Sequence, residues 1–344
     1  MPQIPLIRSS QISPFLRFLE QIGSPTTKIL RQANIPWLDF EKSNNLIPEY
    51  SVWSLLEQAA RFERSEDLGL QVAMQTDLAD VGLLGESLLK SPSLSDILNN
   101  FLNHIRWHSS SACFWLKIDH QEAWFCRQGI PVIEVGSTQV ELYTLIYMIK
   151  VIQQITGQQW QPTKVYLQMK AMPSLSACPL LSEVPLFFNQ QFTAISFPRH
   201  LLQQNREQSS KTKAALGQNH DSWQDNLPAT DLSGAISQTI ETLLPHQVTC
   251  IDTVAKLMGF STRSLQRCLA QEELNYFELL KAVRREKAIV LLKDSTLNIT
   301  DIGYQLGYSD SANFSRAFKE WTNFSPRYFR KKTLKIKLHN NDNS

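Results

Sequence analysis

The chain has 344 residues, 42% of them hydrophobic, and a net charge of only +2. That length suits two domains of ~150 residues with real cores. The five Cys include no CxxC pair, which argues against a zinc site or redox dyad, and the longest apolar run, 142–152, contains Lys150 and is too short to span a bilayer. No basic segment followed by an apolar core opens the sequence, so a reducing cytoplasm and no membrane contact are expected.

From the start, apolar residues recur at helical spacing over 13–21, 26–33, 48–64 and 93–106. Ser91-Pro92-Ser93 starts the last of these, with Asp96 in its first turn. Residues 112–119 and 122–127 alternate as strands around a tight turn at His120-Gln121. A long helix is predicted over 138–156, ended by Gly157, then a strand over 163–170. Residues 186–188 and 192–197 read as a hairpin across Asn189-Gln190-Gln191. This order gives an α+β N-terminal domain over 1–205. Residues 206–232 are polar and read as a linker. An amphipathic helix over 231–244 then opens a second domain, 233–332, followed by a tail at 333–344.

The second domain carries the strongest pattern. Val254-Ala-Lys-Leu-Met-Gly-Phe-Ser261 with Leu265-Gln-Arg-Cys-Leu269 is echoed by Ile302-Gly-Tyr-Gln-Leu-Gly-Tyr-Ser309 with Phe314-Ser-Arg-Ala-Phe318. Such self-similarity marks a duplicated unit, here two helix-turn-helix motifs at about 250–269 and 299–319. Thr249 with Asp252, and Asn298 with Asp301, suit helix starts; Gly259 and Gly307 suit left-handed helix ends; Ser261 and Ser309-Asp310 suit N-caps. Leu265, Cys268 and Leu269, and likewise Phe314, Ala317 and Phe318, lie on one helical face and must turn inward. The opposite faces carry polar side chains fit to read bases or neutralise phosphates. A helix over about 276–293, bearing Arg284 and Arg285, joins the units. At 1.5 Å per residue it is ~27 Å long, the scale of one turn of B-DNA, ~34 Å. Residues 245–344 hold 16 Lys and Arg against 10 Asp and Glu, on an acidic body, the footprint of a nucleic-acid-binding module joined to something else.

The double motif resembles the AraC/XylS transcription regulators. Their tail signature stands here as Gly307-Tyr-Ser-Asp-Ser-Ala-Asn-Phe314-Ser-Arg-Ala-Phe-Lys319 and Asn323-Phe-Ser-Pro326-Arg-Tyr-Phe-Arg330. Three positions depart from the usual pattern: Asn323 and Glu273 stand where Gly is usual, and Gly303 where Ala is usual. The stretch Asp77-Leu-Ala-Asp-Val-Gly-Leu-Leu-Gly-Glu-Ser-Leu-Leu-Lys-Ser-Pro-Ser-Leu94 is similar to the N-terminal effector domain of one AraC subgroup, which includes regulators of ornithine and arginine catabolism. The long helical N-terminus argues against the jelly-roll effector domain of other members.

The resemblance implies a bacterial DNA-binding regulator with an all-α DNA-binding domain of two helix-turn-helix units. The residues expected to meet DNA are Arg263, Ser264, Gln266 and Arg267 in the first unit, and Ser311, Asn313, Arg316 and Lys319 in the second. Arg267 and Arg316 match the family's repeated Arg and suit phosphate or structural contacts. Arg327, Arg330, Lys331 and Lys332 would add attraction to the backbone. The expected partners are double-stranded promoter DNA, RNA polymerase, a small-molecule effector and a second copy of the chain, with no cofactor and no metal.

Effector-binding residues stay unassigned. Trp107, Phe114, Trp115, Trp124, Phe125, Tyr143 and Tyr147 suit a pocket or plain core; Arg127 and Glu134 suit a grip on an amino acid; His104 and His108 form an i, i+4 pair with no third ligand. The Ile236, Ile240, Leu243 and Leu244 face suits interdomain docking or the domain's own core. No Gly-rich phosphate loop, His-Glu-x-x-His or nucleophile elbow supports catalysis. An N-terminal half that only dimerises or binds a protein is the alternative to effector control.

Overall fold

The alternating stretch after residue 112 fixes the N-terminal sheet. In a computed structural model, which describes residues 4–35, 45–129, 133–206, 226–293 and 296–341, β3 (Cys113–Ile118) and β4 (Glu122–Gln128) pair antiparallel across the expected turn, Ile118 opposite Ala123 and Cys113 opposite Gln128. The sheet continues with β5 (Lys164–Tyr166), β6 (Leu186–Phe187) and β7 (Thr193–Pro198) in the order β3-β4-β7-β5-β6. The expected hairpin between the last two strands is not formed. β5 lies between them, antiparallel to β7 and parallel to β6. A left-handed Asn189 makes the turn, but the main-chain groups of β6 pair with β5 instead.

The chain divides into two compact units, Pro5–Pro228 and Ala229–Ser344 with the first four residues. In the first, β1 (Leu6–Arg8) and β2 (Leu46–Pro48) form a short antiparallel ribbon. The helices before the sheet are α1 (Ser13–Gln21), α2 (Thr26–Gln32), α3 (Glu49–Glu63), α4 (Leu68–Gln75), α5 (Leu83–Leu89) and α6 (Leu94–His104), of which α3 packs on the ribbon. Ser93 caps α6 by accepting from Asp96 N at 3.1 Å. The long α7 (Ser137–Thr156) is apolar on nearly every side and is the centre of the core. Leu142, Leu145, Ile146, Met148, Ile149 and Ile152 are fully buried with Phe125, Val165, Ile195 and Phe197 of the sheet and Phe101 of α6. Gly69 lets α4 close on α7: a Cβ there would sit 2.1 Å from Gln139 O. The short α8 (Pro173–Ala177) completes the described α-helices of this unit.

The second unit is helical throughout the described residues. It comprises α9 (Leu232–Leu243), α10 (Ile251–Leu257), α11 (Thr262–Gln271), α12 (Tyr276–Lys293), α13 (Ile299–Gln305), α14 (Ser311–Thr322) and α15 (Pro326–Asn341). Of the polar segment 206–232, residues 207–225 lie outside the described residues, and Asp231 already caps α9, accepting from Gly234 N at 2.7 Å. The face considered for interdomain docking is core: Ile236, Ile240, Leu243 and Leu244 are at most 1% exposed. α9 packs on α12, and Lys287 ties the two through Glu241 at 2.6 Å. α15 runs on as helix into the stretch read as a tail.

Candidate nucleic-acid interface and effector cavity

Both helix-turn-helix units form from the caps the sequence supplies. Ser261 caps α11 by accepting from Ser264 N at 3.2 Å, and Asp310 caps α14 by accepting from Asn313 N at 2.7 Å. Gly259 and Gly307 end the preceding helices at the same φ, +77°, a conformation that costs a residue with a Cβ ~1 kcal/mol or more. Asn298 caps α13 from Asp301 N at 2.8 Å. The first unit departs from its copy here. Its cap position is Cys250, which makes no side-chain cap, and Thr249 faces α12 instead. Tyr276 Oη donates to Thr249 O at 3.0 Å, and Arg284 Nη2 to Thr249 Oγ1 at 3.5 Å.

Arg284 also reaches the second unit. Its Nε donates to Leu306 O at 3.1 Å, and the guanidinium lies 4.8 Å over the Tyr308 ring. One side chain on the connecting helix thus holds the entry of the first unit and the turn of the second. Inside the units, Leu265, Cys268 and Leu269 are buried on α11, and Phe314 and Phe318 on α14, where Phe318 meets Phe329 of α15 at 5.5 Å.

The outward faces carry the residues expected to meet DNA. Arg263, Gln266, Arg267, Asn313, Arg316 and Lys319 are exposed; Ser264 and Ser311 are half-buried. Two are less free than the sequence suggests. Ser264 Oγ accepts from Ser261 Oγ at 2.9 Å and so belongs to the cap. The Asn313 amide donates to the second oxygen of Asp310 and accepts from Arg316 Nη2 at 2.5 Å. The side chains of Asp310, Asn313 and Arg316 therefore form one chain along α14. Arg330, expected on the surface, is half-buried, whereas Arg327, Lys331 and Lys332 are exposed.

The N-terminal unit holds a cavity of about 130 Å³ between the β1–β2 ribbon, α1, α3, α6 and α7. Its wall is mostly hydrocarbon, from residues such as Ile12, Phe15, Trp53, Leu56 and Phe101, with Phe114, Tyr143 and Tyr147 of the aromatic set noted above. Glu49, the first residue of α3, is 2% exposed and accepts from Ser109 Oγ at 2.5 Å and from Ser111 Oγ at 2.7 and 2.8 Å. Burial outweighs those hydroxyls and the charge of Arg127, and pushes the Glu49 carboxyl up to about 7. Of the two residues expected to grip an amino acid, Glu134 is exposed, whereas Arg127 lines the cavity. It donates to Glu141 of α7, whose other oxygen accepts from Thr193. Sequence reasoning missed Glu49 and Glu141; both stand at helical positions otherwise occupied by apolar residues. His108 is buried, its Nδ1 3.1 Å from the Gln11 amide nitrogen, and burial holds the ring neutral, down to about 3. The ring of His104 lies tilted by 51° against Trp107, centroids 4.3 Å apart. No group of three or more metal-ligating side chains occurs among the described residues, and no described helix is long and apolar enough to cross a membrane.

Two helix-turn-helix units, joined by one connecting helix and with recognition helices that carry matched N-caps, define a DNA-binding type of domain. Residues 23–205 match the arabinose-binding domain of AraC transcription regulators, N-terminal, and residues 254–332 match a helix-turn-helix domain. The chain belongs to the AraC family of transcription regulators. It is 37% identical over 100 residues to the HTH-type transcriptional regulator VqsM of Pseudomonas aeruginosa, covering 28% of this chain and 31% of that protein. It is 41% identical over 80 residues to the HTH-type transcriptional activator RhaS of Escherichia coli, covering 23% and 29%. These matches span less than a third of either relative. The Ornithine utilization regulator of Pseudomonas aeruginosa is 23% identical over 270 residues, 76% of this chain and 78% of that one. Among solved structures, the transcriptional regulator CdpR from Pseudomonas aeruginosa is similar at 20% identity over 89% of this chain and 96% of that one, with a TM-score of 0.34.

Proposed function

We propose that this chain is a sequence-specific transcription activator controlled by a small molecule held in its N-terminal unit. The two recognition helices, α11 and α14, enter successive major grooves on one face of promoter DNA, and RNA polymerase is the partner recruited there. Arg263 and Gln266 read bases in one half of the site and Arg316 in the other; Arg267 and Lys319 meet phosphates, and Ser264, Ser311 and Asn313 set the starts and side-chain geometry of the two helices. The observation that carries this reading is Arg284, which braces both units against one helix so that a single chain presents both readers. The cavity beside Glu49 favours a small-molecule effector over an N-terminal half that only dimerises. The polar groups of both sites suit binding, and none forms a nucleophile–base pair of the kind catalysis needs.

The test is selection of DNA sites from random sequence with the full chain, followed by footprinting. The expected site is asymmetric, with two protected grooves about one helical turn apart. Its affinity should fall steeply with salt, because each neutralised phosphate releases counterions. A footprint over one groove alone, or a strict palindrome, would overturn the reading.

A further inference from the structure

With Glu49 ionised, the cavity of the N-terminal unit carries a negative charge that its lining meets only in part, because Arg127, whose charge favours that carboxylate, is itself paired with Glu141. Its ionisable lining comprises Glu49, His108, Arg127 and two tyrosines. His108 is neutral. The guanidinium of Arg127 is committed to Glu141, and with Glu49 ionised these three groups sum to one negative charge. Ser109 and Ser111 donate hydrogen bonds to Glu49 but bring no charge. A second polar group has no protein partner: the Tyr147 hydroxyl is buried and unpaired, on a ring that lines the same cavity and stacks at 6.2 Å on Tyr143. A buried hydroxyl left unpaired is costly, and a buried carboxylate whose one neighbouring cation is shared with a second carboxylate more so. The rest of the wall is hydrocarbon and suits a ligand with an apolar body.

We propose that the cavity takes a small apolar amine, its ammonium on the Glu49 carboxylate, its remaining N–H toward the Tyr147 hydroxyl and its hydrocarbon against Phe15, Trp53 and Phe101. This rests on the reading of the N-terminal unit as an effector domain and names the class of effector. A carboxylate ligand would face Glu49 with Arg127 already occupied. An amino acid would bring a carboxylate with no free counter-charge. The amine needs Glu49 ionised, so its affinity rises with pH through about 7, where that carboxyl titrates. The titratable and charged groups around Glu49 in this change are Arg127 and, through it, Glu141, with His108, which burial keeps neutral, and the buried Arg8 of β1 beside that ring.

Three ring-matched probes test this on the full chain by thermal denaturation and calorimetry: phenethylamine, hydrocinnamate and phenethyl alcohol, with ornithine as a fourth. At pH 8 phenethylamine should bind saturably and raise the melting temperature, with at least about tenfold higher affinity than the other three, roughly the difference one good charge-assisted contact makes. Its affinity should fall several-fold by pH 6. In Glu49→Gln the preference for the amine should vanish while the alcohol binds as before. Val140→Phe, which fills the cavity, should abolish binding of all probes. Tighter binding of hydrocinnamate or ornithine would overturn the amine class and leave the effector reading standing. Saturable amine binding that survives both substitutions would move the site elsewhere. Binding of none of the four would remove the effector reading with it. If Glu49→Gln fails to fold, the probe ranking and the pH dependence of the unaltered chain decide alone.

Discussion

The guanidinium of Arg284 lies over the ring of Tyr308, 4.8 Å from its centroid, while its Nε donates to the C-cap carbonyl of Leu306 at 3.1 Å. The contact fixes the turn of the second helix-turn-helix against the helix that carries the first. Register between two recognition helices matters because both must meet grooves set by the DNA, and a small misplacement loses one of them. A planar guanidinium can stack and donate at once; a lysine ammonium cannot do both.

Arg284→Lys should therefore keep the charge and the fold yet loosen the second unit. Loss of the stacked, bonded arrangement is worth ~2 kcal/mol. The expected outcome is weaker protection of one groove of the footprint with the other retained. Equal weakening of both grooves would mean that Arg284 acts only through overall charge.

On α14 the bonds among Asp310, Asn313 and Arg316 bear on base reading. Asn313 has both amide ends engaged, so Asn313→Ala should free Arg316 and broaden base preference in that half-site. Arg316→Ala should lose the preference there, at ~1–3 kcal/mol. Selection from a randomised half-site distinguishes the two. If Asn313→Ala instead removed preference at one adenine position and left the guanine positions sharp, Asn313 would be a direct reader.

The helix-turn-helix pair was readable because its signals are local. Caps, left-handed glycines and inward residues at i, i+3 and i+4 all lie within a few residues of one another, and the repeat states them twice. The β3–β4 hairpin was readable for the same reason. The place of β5 between β6 and β7 was not, since pairing across 164–196 depends on how α7 covers the sheet and not on the turn at Asn189. Arg127 was found but its partner was not: Glu141 lies 14 residues further on, and only the fold brings it from α7 to the strand that carries Arg127. Glu49 was invisible because a Glu opening a helix ordinarily sits in water as a favourable first-turn charge.

The two buried titrating groups of the cavity should pull stability in opposite directions. Glu49 has a folded value of about 7 against 4.5, so its contribution is fully present below pH 4.5 and lost as pH rises through 7, about 3 kcal/mol in all. His108 has a folded value of about 3 against 6.5; its contribution is present above pH 6.5 and lost as pH falls toward 3, of order 5 kcal/mol. The difference in urea stability between the parent chain and Glu49→Gln should accordingly shrink from pH 4.5 to 7. The difference from His108→Asn should grow from pH 4 to 6.5. A flat difference in either comparison would show that the group keeps its ordinary titration in the fold.

The departures from the family's usual pattern give a last test, on the stability of the second unit alone. Glu273 stands at φ +57° and Asn323 at +62°. Asn tolerates that region through its short polar side chain; Glu does not, and the strain is ~1–2 kcal/mol. Glu273→Gly should relieve it, less the greater freedom glycine gains in the unfolded chain, for a net gain below ~1 kcal/mol. Gly303 works the other way. It lies inside α13, where the nearest atoms to an added Cβ belong to the side chain of Phe314, from 3.4 Å, an ordinary contact. Gly303→Ala should add helix propensity and stabilise by up to ~1 kcal/mol. The two sites lie in different helix-turn-helix units, so the gains should add in the double variant. Asn323→Gly, by contrast, should change little, because Asn already sits in the left-handed region at low cost. A loss of stability in Gly303→Ala would mean that the Phe314 side chain has no room to give, and that this glycine is required by the packing of α13 on α14.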